Sequence, residues 1–351
     1  MRGAVSFHPF DVGLFGVLLD PLIEGKKVNP EDYLDICFRK RVADWRSSGY
    51  RATIQMLLEE VEPPELPTEG SVWFRLRARV ERLEYKPAAV VKTLSEQIEP
   101  DLHLHGRPFF ITEGSADRVG RFCDEYLAAK DVNAIDGLVL EQLLRLDRTL
   151  GREIEAEMMG SPPAAATVHA ELLQRLKEIF ELAAAARQDG DWGNVGSTRP
   201  AREVLAEELP WRCVEAHAEA VPFWVAHDVD GLAGLCEATG IEPPPCLVSA
   251  RPLFAHFAEP FPALLERLSS DLTTERQLGG YVPANDIPEL LTFLAEQGAR
   301  IIQAATRHGV GKICSVLLRK IRECATFASL HGTGYLEASS LDHPPLPDND
   351  A

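Results

Sequence analysis

The sequence predicts a helix-rich α+β protein with a small mixed N-terminal region that contains a few strands and a mainly α-helical C-terminal region. Two observations lead to this prediction. Apolar side chains recur at intervals of three or four residues over most of the chain, which is the periodicity of amphipathic helices. In residues 74–81 apolar and charged side chains alternate one by one instead, which is typical of a half-buried strand.

The mixed region covers residues 1–159. It opens with helical spacing in Tyr33, Ile36, Cys37 and Val42, and a second helical pattern follows in residues 50–62. The alternating stretch 74–81 is the first predicted strand of the region, and a helical pattern follows it.

The segment HLHGRPFFITEG, residues 103–114, is predicted to be a second strand with Phe109 and Phe110 near its apolar centre. After it, Ser115 or Asp117 is expected to cap a helix, because short polar side chains accept hydrogen bonds from the first backbone N–H groups. A further helix is predicted for about residues 136–159.

Residues 160–167 combine proline with small side chains and are predicted to be a possible linker. The following region, 168–339, is predicted to be mainly helical, with shorter helices and Pro-rich turns over 201–270. The polar, Pro-rich residues 340–351 are predicted to form a mobile tail.

An antiparallel helix pair is predicted at the end of the helical region. Asp286, with Glu289 three residues later, resembles a capping box at the start of the first helix. Gly309 is expected to end this helix, and Gly332 to end a second helix that begins near Lys312. The connection between the two helices is short, so the helices should lie side by side.

The composition narrows the class of protein. The chain has 351 residues and a net charge of −18, which makes nucleic-acid binding and attachment to an anionic membrane unfavourable. No stretch approaches the roughly 18 apolar residues that a membrane span requires. Seven scattered cysteines without a CxxC motif indicate free, buried thiols in a reducing compartment. Together these features predict an acidic, soluble, cytoplasmic protein.

Two histidines and a glutamate in HLHGRPFFITEG are candidate metal ligands. On a strand, His103 and His105 project from the same face, and neutral imidazoles bind zinc and similar divalent ions. Glu113 is the nearest following carboxylate. The alternative is a strand whose two histidines are packed or hydrogen-bonded without metal.

A second candidate metal site lies in AHDVDG. His227, Asp228 and Asp230 place three possible ligands within four residues. The alternative is turn chemistry, in which Asp230 caps the helix that follows.

Three arginines form a candidate anion-binding face. Arg75, Arg77 and Arg79 alternate with apolar residues, so their guanidinium groups share one face of the predicted strand. The alternative is a solvated sheet face that acids such as Glu81 and Glu84 balance.

The common catalytic and cofactor motifs GxSxG, HExxH and GxGxxG do not occur in the sequence. HGVGK, residues 308–312, and DGDWGN, residues 189–194, are interpreted as a turn and a loop. The leading hypothesis is therefore a protein-interaction or regulatory module that binds another protein and needs no cofactor. The alternative is a metal-dependent hydrolase that uses His103 and His105 with zinc or a similar ion. The sequence leaves open whether the chain is an enzyme and what its oligomeric state is.

Overall fold

The computed structural model describes residues 4–60, 106–111, 114–146, 161–193, 198–227, 229–257, 260–261, 264 and 278–339. In this part of the chain, long helices surround a small antiparallel sheet, which confirms the predicted helix-rich α+β class. The predicted strand at 74–81 lies outside the described residues.

The described α-helices differ widely in length. In chain order they are α1 Val12–Leu14, α2 Asp20–Ile23, α3 Glu31–Glu60, α4 Ala116–Ala128, α5 Val132–Leu146, α6 Ala165–Arg187, α7 Ala201–Ala220, α8 Leu232–Thr239, α9 Ile287–Arg307 and α10 Gly311–His331. A π-helix, Phe15–Leu19, joins α1 to α2, and 3₁₀-helices occupy Arg251–Phe257 and Ala284–Asp286.

The strands form one main sheet and one short hairpin. They are β1 Ala4–Phe10, β2 Asp191–Trp192, β3 Arg199–Pro200, β4 Trp224–His227, β5 Val248–Ser249, β6 Leu278–Val282 and β7 Gly334–Ser339. The five-stranded sheet has the order β4-β1-β7-β6-β5, and each neighbouring pair is antiparallel. β2 pairs with β3 in the hairpin.

Strand β1 separates two hydrophobic cores. Successive side chains of a strand point to opposite faces, so Val5 and Phe7 enter one core while Phe10 enters the other. Helices α9 and α10 pack on the first face, and α6 and α7 pack on the second. The sheet is therefore the middle layer between two layers of helices.

Helix α3 spans both cores because it is 30 residues long, or about 45 Å at 1.5 Å per residue. Its first turns bury Tyr33 and Cys37 in the second core, and Tyr50 lies in the first.

Both cores contain residues from each side of the possible linker 160–167. Within that stretch, residues 161–164 are irregular and α6 begins at Ala165. The division of the chain at this point stays a prediction, and the tail 340–351 lies outside the described residues.

The C-terminal helix pair is confirmed. Helix α9 ends where Gly309 adopts a φ of 77°, and α10 ends at Gly332 with a φ of 64°. Such left-handed backbone suits glycine because it lacks a Cβ. The capping-box prediction is wrong, since the Asp286 side chain makes no capping hydrogen bond. Asp286 ends a 3₁₀-helix with φ −99° and ψ −1°, whereas a capping residue usually has extended backbone.

Other local predictions have mixed outcomes. Ser115 caps α4 by accepting a hydrogen bond from the Arg118 N–H, as expected. The short helices predicted over 201–270 are present as α8 and the 3₁₀-helix Arg251–Phe257, but α7 is 20 residues long and contains the buried Pro210. The predicted helix at 136–159 begins earlier, at Val132, and its described part ends at Leu146.

The predicted strand at 103–114 is wrong for its described residues, 106–110, which form bends. Gly106 has a φ of 69° and Phe109 a φ of 55°, and neither value is compatible with a strand.

All seven cysteines are free and buried, as the sequence predicts. In the described portion, no helix has both the length and the apolar character needed to cross a membrane.

Candidate functional site

A groove lies between helices α6 and α7, and Tyr33 of α3 closes one side of it. Its volume is about 370 Å³. The buried part of the lining is apolar and consists of Tyr33, Leu172, Leu176 and Ile179. The more accessible lining carries charges and one indole, from Arg175, Glu178, Glu208, Trp211, Arg212, Glu215 and Glu219.

The spacing along each helix explains this division. Leu172, Leu176 and Ile179 follow one another at intervals of four and three, so they form one apolar stripe of α6. On α7, Trp211, Glu215 and Glu219 recur at intervals of four and therefore share one face.

Two ion pairs cross the groove, and we call them the two rungs. In the first, Arg175 Nη1 lies 2.7 Å from Glu219 Oε1. In the second, Arg212 Nη1 lies 3.2 Å from Glu178 Oε2. The residue numbers rise along α6 while those of their partners fall along α7, so the two helices are antiparallel.

The rungs belong to a larger network of charges. Arg41 of α3 also donates to Glu219, with Nε 2.7 Å from Oε2, and Arg212 also pairs with Glu208 at 2.8 Å. A hydrogen bond from the Tyr33 hydroxyl to the Ala216 carbonyl, at 2.8 Å, fastens α3 to α7. Each rung therefore shares a residue with a further ion pair, and α3 is linked to α7 at the same groove.

Glu215 lies between the two rungs and differs from the other acids of the groove. Burial raises the pKa of Glu215, although Arg175, Arg212 and Trp211 act in the opposite direction. Burial also opposes ionisation of Glu219, but its hydrogen bond with Arg41 and the charges around it lower the pKa overall. Within the described residues, Glu215 forms no ion pair within 4 Å, whereas Glu178, Glu208 and Glu219 each do.

The groove therefore carries unbalanced negative charge. Four carboxylates line it, and three guanidinium groups, those of Arg175, Arg212 and Arg41, pair with three of them. A half-buried carboxylate without its own cation attracts a positively charged group, and the apolar lining beside it suits an alkyl chain.

A second polar network is fully buried in the first core. Arg107 donates to both carboxylate oxygens of Glu323, and Trp224 Nε1 donates to Oε2 at 3.0 Å. Lys320 Nζ donates to the Val225 carbonyl at 2.9 Å. Arg107 and Glu323 are 0% and 1% exposed, so the pair has no access to a ligand and its role is structural.

A serine and a histidine lie close together on β1, but they are not arranged for nucleophilic catalysis. His8 Nε2 is 2.8 Å from Ser6 Oγ, while the Ser6 hydroxyl donates to the Ala338 carbonyl. Because the hydroxyl hydrogen is used in that bond, His8 serves as the donor to Ser6 and not as its base. Both side chains are 0% exposed, and burial holds the pKa of His8 well below its usual value.

Most predicted site residues fall outside the described part of the chain. His103, His105 and Glu113 are outside it, as are Arg75, Arg77, Arg79 and Asp228. These predictions therefore remain open.

The remaining members of the AHDVDG site are separated by the end of β4. The backbone of His227 lies in this strand, opposite Ala4, and Asp230 follows it in irregular structure. Gly231, not Asp230, occupies the cap position of α8, and Glu337 Oε1 accepts the Leu232 N–H at 2.9 Å. No group of three or more His, Cys, Asp or Glu side chains in the described ranges is placed to hold a metal ion.

The interpretation of HGVGK agrees with the structure, whereas the loop predicted for DGDWGN contains strand β2, Asp191–Trp192. Residues 308–310 form the turn between α9 and α10, and Asp189 precedes β2 in a turn where it pairs with Arg202 at 2.8 Å.

The groove residues were not among the predicted sites. Their only sequence signal is the recurrence of Glu and Arg on one face of α7, which is also the pattern of an ordinary solvated helix.

Comparison with known proteins gives no relative. The sequence matches no family model and no curated protein, and no solved structure matches it.

Proposed function

We propose that the protein is a protein-interaction module whose groove binds a basic segment of a partner protein. The observation that carries this proposal is the excess of carboxylates in a concave site with an apolar lining. Both arginines of the groove pair with other glutamates, and Glu215 has no ion pair of its own among the described residues.

The chemistry of the site favours a segment with lysine or arginine side chains. Their alkyl stems pack on apolar surface while their charged ends remain near carboxylates. The net charge of −18 adds a long-range attraction that speeds the approach of a basic partner and weakens with salt.

Isothermal titration with short synthetic peptides tests the proposal. A lysine- and arginine-containing peptide is expected to bind, and a peptide with glutamates at the same positions is not. Glu208→Lys reverses a charge in the groove and should weaken binding about tenfold, a change of about 1.4 kcal/mol. Glu296→Lys, at an exposed position of α9 outside the groove lining, is the matched control. Equal weakening by both variants, or no binding by the wild type, contradicts the proposal.

We also propose a reducing, cytoplasmic location for the protein. The seven free and buried thiols support it, because oxidising compartments favour disulfides. Detection of a disulfide in protein purified without reductant from its native cell would contradict it.

The metal-dependent hydrolase stays an alternative proposal. It uses His103 and His105 with a divalent ion such as zinc, and elemental analysis of gently purified protein tests it. Absence of metal, together with no loss of stability when chelator is added, would exclude it. Anion binding by Arg75, Arg77 and Arg79 likewise remains a proposal, and it predicts an affinity that falls steeply with salt.

A further inference from the structure

We propose that a buried water molecule bridges His8 of β1 and His217 of α7 and completes a chain of hydrogen bonds along one face of β1. Neither histidine lines the groove between α6 and α7. The site between the two rings takes a small molecule that both donates and accepts a hydrogen bond.

Hydrogen bonds with other residues determine which nitrogen of each imidazole carries the proton. Ser6 donates its hydroxyl hydrogen to the Ala338 carbonyl, so His8 Nε2 supplies the hydrogen of its own 2.8 Å bond with Ser6 Oγ. His8 Nδ1 is then an acceptor. His217 Nε2 accepts the Asp11 N–H at 2.9 Å, so the neutral His217 ring carries its proton on Nδ1, which is a donor.

Both rings are neutral near pH 7, as these proton positions require. Burial holds the pKa of His8 well below its usual value, and positive charge on His217 and Lys40 acts in the same direction. Lys40 itself pairs with Asp44 at 2.7 Å. Burial lowers the pKa of His217 to about 4, with Asp11 opposing the change.

The second nitrogen of each ring is buried and unpaired. Neither His8 Nδ1 nor His217 Nδ1 has a hydrogen-bond partner among the described residues. The two side chains are 0% and 2% exposed, so bulk water does not reach them. A buried donor and a buried acceptor are unfavourable when unpaired, and one buried water satisfies both.

The order of the groups along β1 places these two nitrogens in the same interval. His8 and Phe10 share one face of the strand, and the His217 ring stacks on Phe10 with centroids 4.7 Å apart. Nε2 of His8 bonds toward Ser6 at one end, and Nε2 of His217 bonds toward Asp11 at the other, so each Nδ1 lies on the side of its ring away from that end.

The spacing suits one water molecule. Successive positions on one face of a strand are about 6.6 Å apart. Two hydrogen bonds of about 2.8 Å that meet at one oxygen span up to about 5.6 Å, whereas a direct bond between the rings would require a much closer approach.

A water at this position gives every bond of the chain the same direction. The Asp11 N–H donates to His217, and His217 donates to the water. The water then donates to His8, His8 donates to Ser6, and Ser6 donates to the Ala338 carbonyl. Bonds aligned in this way polarise and strengthen one another. The chain would therefore link α7 to the paired strands β1 and β7.

Nitrogen-15 NMR of the full chain tests the proposal at about pH 7.5, above the ordinary histidine pKa. The ring-nitrogen shifts should show His8 protonated at Nε2 and His217 protonated at Nδ1. The Nδ1 proton of His217 should also give a cross-peak with water. Ser6→Ala removes the acceptor of His8 and should change its ring from one tautomer to a mixture of two. Ser47→Ala is the matched control, because it removes a buried hydroxyl that donates to the Ala43 carbonyl within α3.

The opposite tautomer on either ring would overturn the chain. A scalar coupling between the two Nδ1 atoms would show a direct bond between the rings and overturn the water, as would the absence of the cross-peak with water. An unchanged His8 tautomer in folded Ser6→Ala, or an equal change in Ser47→Ala, would overturn the assignment of Ser6 to the chain. The tautomers and the cross-peak are measured on the wild type, so they decide the proposal even if Ser6→Ala does not fold.

Discussion

The Glu337 carboxylate holds the first residue of helix α8, because its Oε1 accepts a hydrogen bond from the Leu232 N–H at 2.9 Å. The same oxygen accepts from the Tyr335 hydroxyl at 2.7 Å. Glu337 is 0% exposed in the middle of the sheet. The ionisable groups around it are Tyr335 on its own strand, Cys236 on α8 and Cys324 on α10, and none of these is a cation.

The first prediction is that Glu337 makes the protein less stable as the pH rises. Burial raises the pKa of Glu337 from 4.5 to about 7. The pKa of Glu337 is higher in the folded protein than in the unfolded chain, so its protonated carboxyl stabilises the fold. This stabilisation is complete below about pH 4.5 and is lost as the pH rises to about 7. The loss is on the order of 3 kcal/mol. Urea unfolding across this range should show that Glu337→Gln removes the decline. The exposed Glu296→Gln should retain it, and equal profiles for both variants would contradict the prediction.

The second prediction concerns His217 and has the opposite sign. Burial lowers the pKa of His217 from 6.5 to about 4, with Asp11 opposing the change. A depressed histidine pKa contributes stability above about pH 6.5, and this stability is lost as the pH falls toward 4. The proton resonances of the His217 ring should therefore titrate near pH 4. The spectrum of His217→Gln identifies the resonances that belong to this ring. An apparent pKa near 6.5 for these resonances would show that the ring is not buried as described.

The third prediction concerns the buried ion pair of Arg107 and Glu323. Arg107→Met leaves the Glu323 carboxylate buried without its main cation and should lower the free energy of unfolding by about 3–5 kcal/mol. Arg300→Met, at an exposed position of α9, should change it by less than about 0.5 kcal/mol. Urea denaturation measures both, and a loss below about 1 kcal/mol for Arg107→Met would mean that the pair is solvated.

The fourth prediction separates backbone strain from crowding at two glycines. Gly106 and Gly309 both have a positive φ, of 69° and 77°. A Cβ at Gly106 would lie 1.9 Å from the Val225 carbonyl oxygen, whereas a Cβ at Gly309 would meet nothing within 4 Å. Gly309→Ala should therefore cost about 1 kcal/mol through strain alone. Gly106→Ala should cost clearly more, and similar losses of unfolding free energy would contradict this assignment.

The sequence predicted the helices better than the strands, and α9 with α10 shows why. Their apolar side chains recur with helical spacing, and glycines end both helices. Strand β1, in contrast, is covered on both faces and carries the polar Ser6 and His8 inside the protein, so no alternation marks it. Strand β7 buries Glu337 in the same way.

The groove depends on positions that only the tertiary fold brings together. Tyr33, Arg175 and Glu215 come from three helices that are far apart in the sequence. Each of these helices shows an ordinary amphipathic pattern by itself. The ion pairs that cross the groove follow from the register of α6 against α7, and the periodicity of each helix does not encode that register.

The pairing of the sheet also determines when its strands can come together during synthesis of the protein. Ser6 Oγ donates to the Ala338 carbonyl across 332 positions of chain. At roughly 5–20 residues per second, a ribosome needs on the order of 20 to 60 seconds between the two. Both edges of β1 are unpaired until β4 is made, and the edge that pairs with β7 stays unpaired until the end of that interval. Conditions that slow elongation should therefore lower the folded yield before they affect the stability of the finished molecule.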